Sequence, residues 1–221
     1  MKKLIGIIGI TMLFIILGLS GCTQQNSLNE QKITPTTESV QTILTKAETI
    51  ESLYYEIAAT IMMPNYGTQT ATIKIWQREP YLKAEITGVA MGTTNTMSLI
   101  QRPEGTYTYD ATEGKYVLTT DETSFVTSLQ YFNSDMIKKY LNNQSGTNFE
   151  TEMIDGKQTT IIQYTPSFGE NQMTVKIWIW NEKGVPLKAY FTMTMEETTM
   201  TMDFKFNNYS FSDIPDSTFN V

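Results

Sequence analysis

The chain has 221 residues, with 16 basic and 23 acidic side chains, no histidine and one cysteine. A formal charge of −7 repels phosphate backbones and anionic headgroups, which argues against nucleic acid as a partner and against a polybasic membrane dock. Without histidine the usual general base near neutral pH and the commonest metal ligand are missing, so neither catalysis, a metal nor another cofactor is expected.

Lys2 and Lys3 precede an apolar run from Leu4 to Leu19, closed by Ser20, Gly21 and Cys22. As a helix that run would be roughly 24 Å long, short of the ~30 Å hydrocarbon core, and small residues with a cysteine end it. Residues 1–21 therefore read as a lipoprotein signal peptide, with cleavage before Cys22 and diacylglycerol on its sulfur. Cleavage would leave 200 residues, with 14 basic against 23 acidic side chains and a net charge of −9. No second cysteine remains for an internal disulfide, so packing has to supply the stability. Two or more acyl chains give stable attachment, which places the expected protein outside the cytoplasm, lipid-anchored at a cell surface or periplasmic membrane face.

Residues 22–36 are polar, with Gln24, Gln25, Asn26, Ser27, Asn29, Gln31 and Pro35, and read as a flexible tether. The remaining 37–221 read as one domain. Thr36, Thr37 and Glu38 supply capping and acidic residues to a helix whose stripe is Val40, Ile43, Leu44, Ala47, Ile50 and Leu53. Period-two alternation then starts with Tyr55, Ile57, Ala59, Ile61 and Met63 on one face, before Pro64, Asn65 and Gly67 turn the chain.

Further strands are predicted at 69–78, 80–88, 94–102, 105–110 and 115–120, and, after a second helix, at 147–154, 158–165, 171–181, 186–196 and 198–209. That helix is expected from Asp121 to Leu141, with Phe125, Leu129, Phe132, Met136 and Tyr140 on one stripe. Eleven strands and two helices make the fold class mainly β (α+β), one large, strongly curved antiparallel sheet with an N-terminal helix.

The stretch TATIKIWQREPYLKAEITG from Thr70 echoes MTVKIWIWNEKGVPLKAYFTM from Met173. Lys74-Ile75-Trp76 pairs with Lys176-Ile177-Trp178, and Leu82-Lys83-Ala84 with Leu187-Lys188-Ala189. Convergence on a common hairpin and true duplication both explain this.

No phosphate loop, nucleophile elbow or calcium loop appears, and the paired carboxylates Glu196/Glu197 and Asp213/Asp216 read as solvated turns. What stands out is soft apolar bulk on strand faces: Phe191, Met193 and Met195, then Met200, Met202, Phe204 and Phe206. Flexible, polarizable methionine suits a surface that accommodates variable apolar ligands.

The order of elements resembles the lipoprotein-carrier superfamily of LolA and LolB, in the Ile75–Leu82 junction with its basic residue and proline, the tyrosine-rich hairpin Glu104–Leu118, and the closing Phe206–Phe219 with Ile214-Pro215-Asp216. That resemblance implies an incomplete β-barrel lidded by helices, with Arg78 nearest to the family's basic residue at the cavity mouth. The function it implies is binding the acyl chains of a lipid or of another lipoprotein, and assisting their transfer or sorting. The lining expected is Ile57, Ile61, Met97, Leu99, Met193, Met195, Met202 and Phe204 from the sheet, with Phe125, Leu129, Phe132 and Met136 from the lid. The alternative is an extracytoplasmic sensor or protein-interaction module, with a filled core and a protein partner.

Overall fold

The computed structural model describes residues 37–64, 67–90, 92–119, 134–143, 148–165, 167–168, 171–195 and 198–221. The chain divides into two units, Met1–Ile33 and Thr34–Val221, and every described residue belongs to the second. The signal peptide, Cys22 and the tether lie outside the described residues.

Helix α1 (Thr37–Thr45) buries Val40 and Leu44 on one stripe, then tightens into a 3₁₀ turn, Lys46–Thr49. The expected stripe ran on through Ile50 and Leu53, and the structure corrects this. Ile50 is extended (φ −87°, ψ 108°), and Leu53 opens β1 (Leu53–Met63) opposite Gln77. Aromatic Tyr54 and Tyr55 favour the pleated ladder, and the ladder outcompetes one more helical turn.

The chain then forms an antiparallel run: β2 (Gly67–Arg78), β3 (Tyr81–Ala90), β4 (Thr93–Arg102), β5 (Gly105–Asp110) and β6 (Lys115–Thr119). Helix α2 (Ser134–Asn143) follows, and then β7 (Asn148–Ile154), β8 (Lys157–Tyr164), β9 (Ser167–Phe168), β10 (Asn171–Trp180), β11 (Pro186–Met195) and β12 (Thr198–Ser210). A last 3₁₀ turn covers Asp216–Phe219. The spatial order is β6-β5-β4-β3-β2-β1-β12-β11-β10-β8-β7, with β9 paired to β10, so the sheet stays open between β6 and β7. The strands expected from alternation are all present within one or two residues at each end, and the two-residue β9 is additional.

Alternation sets the two faces. Along β1, Ile57 and Ala59 are buried while Ala58 and Thr60 are exposed. The inner face gathers Ile73, Ile75, Ala84, Leu99, Ile162, Val175, Ile177, Ala189, Phe191 and Phe206 into one core with Val40 and Leu44 of α1 and Ile137 and Leu141 of α2. Each valine, leucine, isoleucine and phenylalanine among them contributes about 1.5–3 kcal/mol on full burial, which is how a disulfide-free domain is held. The helices are tied to each other by Gln41 Nε2 donating to Asn142 Oδ1 at 2.6 Å and by Lys138 Nζ on Glu48. Tyr140 stacks on Tyr164 of β8 with centroids 4.9 Å apart.

The outer face carries a smaller cluster. Ile214 and Phe219 of the C-terminal segment pack with Ile100, against Trp76, Tyr81 and Tyr116.

Candidate functional site

A cleft of about 610 Å³ opens at the inner-face end where β1 and β3 begin and β2 and β4 end. Its floor is Tyr55 of β1, Gln77 of β2, Leu82 of β3 and Gln101 of β4. One wall is Val185, Pro186 and Tyr209, and the other is the 3₁₀ turn and its exit, with Glu48, Ile50 and Glu51. Asp135 at the start of α2, with Glu79 and Asp213, completes an acidic rim.

The tyrosines are held by packing: Tyr55 stacks on Tyr209 at 5.5 Å, and the Tyr209 hydroxyl donates to the Pro186 carbonyl. Burial pushes both phenols well above the ordinary value of 10, so each stays a neutral hydroxyl. On the rim, Glu48 pairs with Lys138, and Ser52 Oγ donates to Asp213 Oδ1 at 3.4 Å.

Arg78 is on the rim too, but its guanidinium is committed to the C-terminal segment. Nη1 donates to the Ile214 carbonyl at 2.5 Å, Nη2 pairs with Asp216, and the group lies 5.6 Å over the Phe219 ring. Arg78 thus lies at the mouth of the cleft, where the resemblance implies a basic residue, with its guanidinium held by the C-terminal segment. Asp213 and Asp216 pair with it while remaining solvated as expected, their side chains 87% and 90% exposed.

The cleft offers two amides, neutral phenols and the aliphatic Leu82 inside a ring of carboxylates. It suits the uncharged or cationic polar end of an apolar molecule. Among the described residues no three His, Cys, Asp or Glu side chains gather as a metal set.

Of the lining expected from sequence, Ile57 and Leu99 are fully buried core. Ile61, Met97, Met193, Met202 and Phe204 are half-buried on the same inner face, towards the opposite end of the strands from the cleft. Ile61 lies opposite Met202, and Ala59 opposite Phe204. Met136 falls in α2 and Met195 ends β11, and their side chains are outside what is described. Phe125, Leu129 and Phe132 lie outside the described residues altogether. Sequence reading missed Tyr55 as lining, and it missed Gln77, Leu82, Gln101 and Tyr209. The available signal was a glutamine continuing the inward alternation at the end of each strand, Gln77 after Ile73 and Ile75, and Gln101 after Met97 and Leu99.

No protein-family model matches the chain, and no curated protein matches it. Solved structures similar to it include a LolA superfamily protein, NE2245 from Nitrosomonas europaea, at 13% identity and a TM-score of 0.43, covering 86% of this chain and 98% of that one. LprF from Mycobacterium bovis is similar at 13% identity and a TM-score of 0.42, covering 80% of this chain and 95% of that one. The Pseudomonas aeruginosa MucA/MucB complex is similar at 10% identity and a TM-score of 0.46, covering 82% of this chain and 60% of that one.

Proposed function

We propose that this chain is an extracytoplasmic lipoprotein, anchored through Cys22 on a 22–36 tether, that holds an acyl chain on the inner face of the open sheet and passes it to or from a membrane. The observation that carries the reading is the cleft of about 610 Å³ at the inner-face end of the sheet, whose lining includes Tyr55, Leu82 and Tyr209, side chains that pack against the apolar core. Its size falls in the ~300–1,000 Å³ range of small-ligand sites. Burying about fourteen methylenes contributes up to roughly 11 kcal/mol gross, and ordering costs reduce it, so micromolar binding is within physical reach. Half-buried side chains of the inner face would receive the far end of the chain, with the stretch containing Phe125, Leu129 and Phe132 as the lid. No bond is made or broken.

The test is lipid extraction and native mass spectrometry of the processed protein purified from a host that exports it. A stoichiometric co-purified lipid supports the reading. A protein that carries none and takes none up from vesicles overturns it in favour of an interaction module. Separately, the wild type should incorporate radiolabelled palmitate and Cys22→Ser should not. An unlabelled wild type would sink the anchor.

A further inference from the structure

The two similar hairpins belong to something larger. Thr72–Trp76 and Thr174–Val175–Lys176–Ile177–Trp178 differ only at Ile73/Val175. From Leu82 to Gln101, eight of twenty residues recur without a gap 105 positions later: Leu82, Lys83, Ala84, Thr87, Thr93, Thr94, Thr96 and Met97. The ladders superimpose as well. Ile75 opposes Ala84 as Ile177 opposes Ala189, and Trp76 opposes Lys83 as Trp178 opposes Lys188. Ile86 opposes Met97 as Phe191 opposes Met202. On the outer face each lysine caps its tryptophan, Lys83 Nζ at 5.2 Å from the Trp76 ring and Lys188 Nζ at 4.9 Å from that of Trp178. In space β4-β3-β2-β1 is followed by β12-β11-β10-β8, so the same four-strand meander occurs twice, joined at β1 and β12.

The copies differ where it matters for a ligand. The Gly88:Asn95 pair of the first is Met193:Met200 in the second. Leu99 corresponds to Phe204, Gln77 to Ile179, and Gln101 to Phe206. Ile179 and Phe206 are buried core, whereas Gln77 and Gln101 line the cleft. The turns explain the difference: two residues join β2 to β3, and five join β10 to β11. The longer turn reaches α1, with Lys46 Nζ donating to the Asn181 carbonyl at 2.7 Å and Gly184 packed against Ile43 and Ala47 backbone. The shorter turn leaves the space that is the cleft. A Cβ added at Gly88 would meet nothing closer than the Thr70 carbonyl oxygen at 3.9 Å, so the backbone there leaves space for a side chain to start.

We propose that the chain is a duplicated meander in which the second copy became the packed core and the first became the ligand wall. It takes a single acyl chain whose head carries no negative charge. The head sits at Gln77 and Gln101 inside the carboxylate rim, and the chain runs over Leu82, Ile86 and Gly88. This rests on the acyl-binding reading above.

The test is photo-crosslinking of the processed, lipidated protein in phosphatidylcholine vesicles with a diazirine-bearing C16 monoacylglycerol, followed by peptide mapping. Label should fall on 81–102 and be at least tenfold weaker on the equivalent 186–207. Gly88→Met and Gln101→Phe each place the second copy's residue in the first, and should cut labelling fivefold or more without lowering the melting temperature. Palmitate should compete at least tenfold more weakly than unlabelled monoacylglycerol. Equal label on both copies, or folded variants that label normally, would overturn the assignment of the site while leaving acyl binding standing. Equal competition by palmitate would overturn the head selectivity. No label above that on a bystander membrane protein would overturn the acyl-binding reading itself, and this inference with it.

Discussion

At the residue level, Tyr54 and Glu56 share one hydrogen bond, donated by the phenol to Glu56 Oε1. That bond is the main cause that holds the Glu56 carboxyl below its ordinary 4.5, with Asn208 second. Burial, then Glu56, pushes the Tyr54 phenol from 10 up to about 12. The two groups act on opposite limbs of the pH profile. A carboxyl more acidic in the folded state adds stability above pH 4.5 that is lost as the pH falls through its folded value. A phenol less acidic in the folded state adds stability below pH 10 that is lost as the pH rises towards 12. Urea unfolding across pH should therefore show both declines, and Tyr54→Phe should lessen both, the alkaline one only in part because burial raises Tyr55 and Tyr209 as well. A variant whose acid limb is unchanged would show that Asn208, rather than Tyr54, sets the carboxyl.

At the level of elements, the turn between β10 and β11 decides where the helix docks. Gly184 has φ +74°, and a Cβ there would fall 2.4 Å from the Ile43 carbonyl oxygen and 2.9 Å from the Ala47 nitrogen. Gly156, in the Asp155-Gly156 turn of the β7–β8 hairpin, also has φ +74° but nothing within 4 Å. Gly156→Ala should cost about 1 kcal/mol of left-handed strain, and Gly184→Ala about 2–3 kcal/mol, because α1 must also move. Thermal melts should separate the two by several degrees. Equal losses would mean that the turn does not hold the helix.

The same turn shows why the sheet was legible in sequence and the cleft was not. Alternation such as Phe191-Thr192-Met193 is written residue by residue, because the opposite face of each strand meets water. The cleft takes its lining from distant stretches, the short turn at Glu79 and the longer one at Gly184 and Val185 among them, and their meeting is visible only once both turns are placed against the first 3₁₀ turn. The first helix was overextended for a related reason. Ile50 and Leu53 fit its period, but Leu53 also fits the ladder opposite Gln77, and pairing is invisible in a single segment.

For the whole molecule, the sheet separates two packing systems that should respond independently. On the outer face Phe219 is buried, stacks on Tyr81 at 5.6 Å and lies beneath Arg78. On the inner face the cleft and the apolar trough are built from the opposite side chains of the same strands, Gln77 and Leu82 alternating with Trp76, Arg78 and Tyr81. Phe219→Ala removes most of the outer cluster's contact with the C-terminal segment and should cost about 3 kcal/mol, in the range for deleting a buried ring. The alternating geometry of strands means that this loss leaves no cavity beneath the ligand wall. At temperatures where the variant stays folded, its affinity for a C16 monoacylglycerol should match the wild type within about twofold, although its melting temperature falls by roughly 6–12 °C. Affinity that fell in step with stability would show that the C-terminal segment sets the shape of the inner face, and that the strands between them transmit strain from one side to the other.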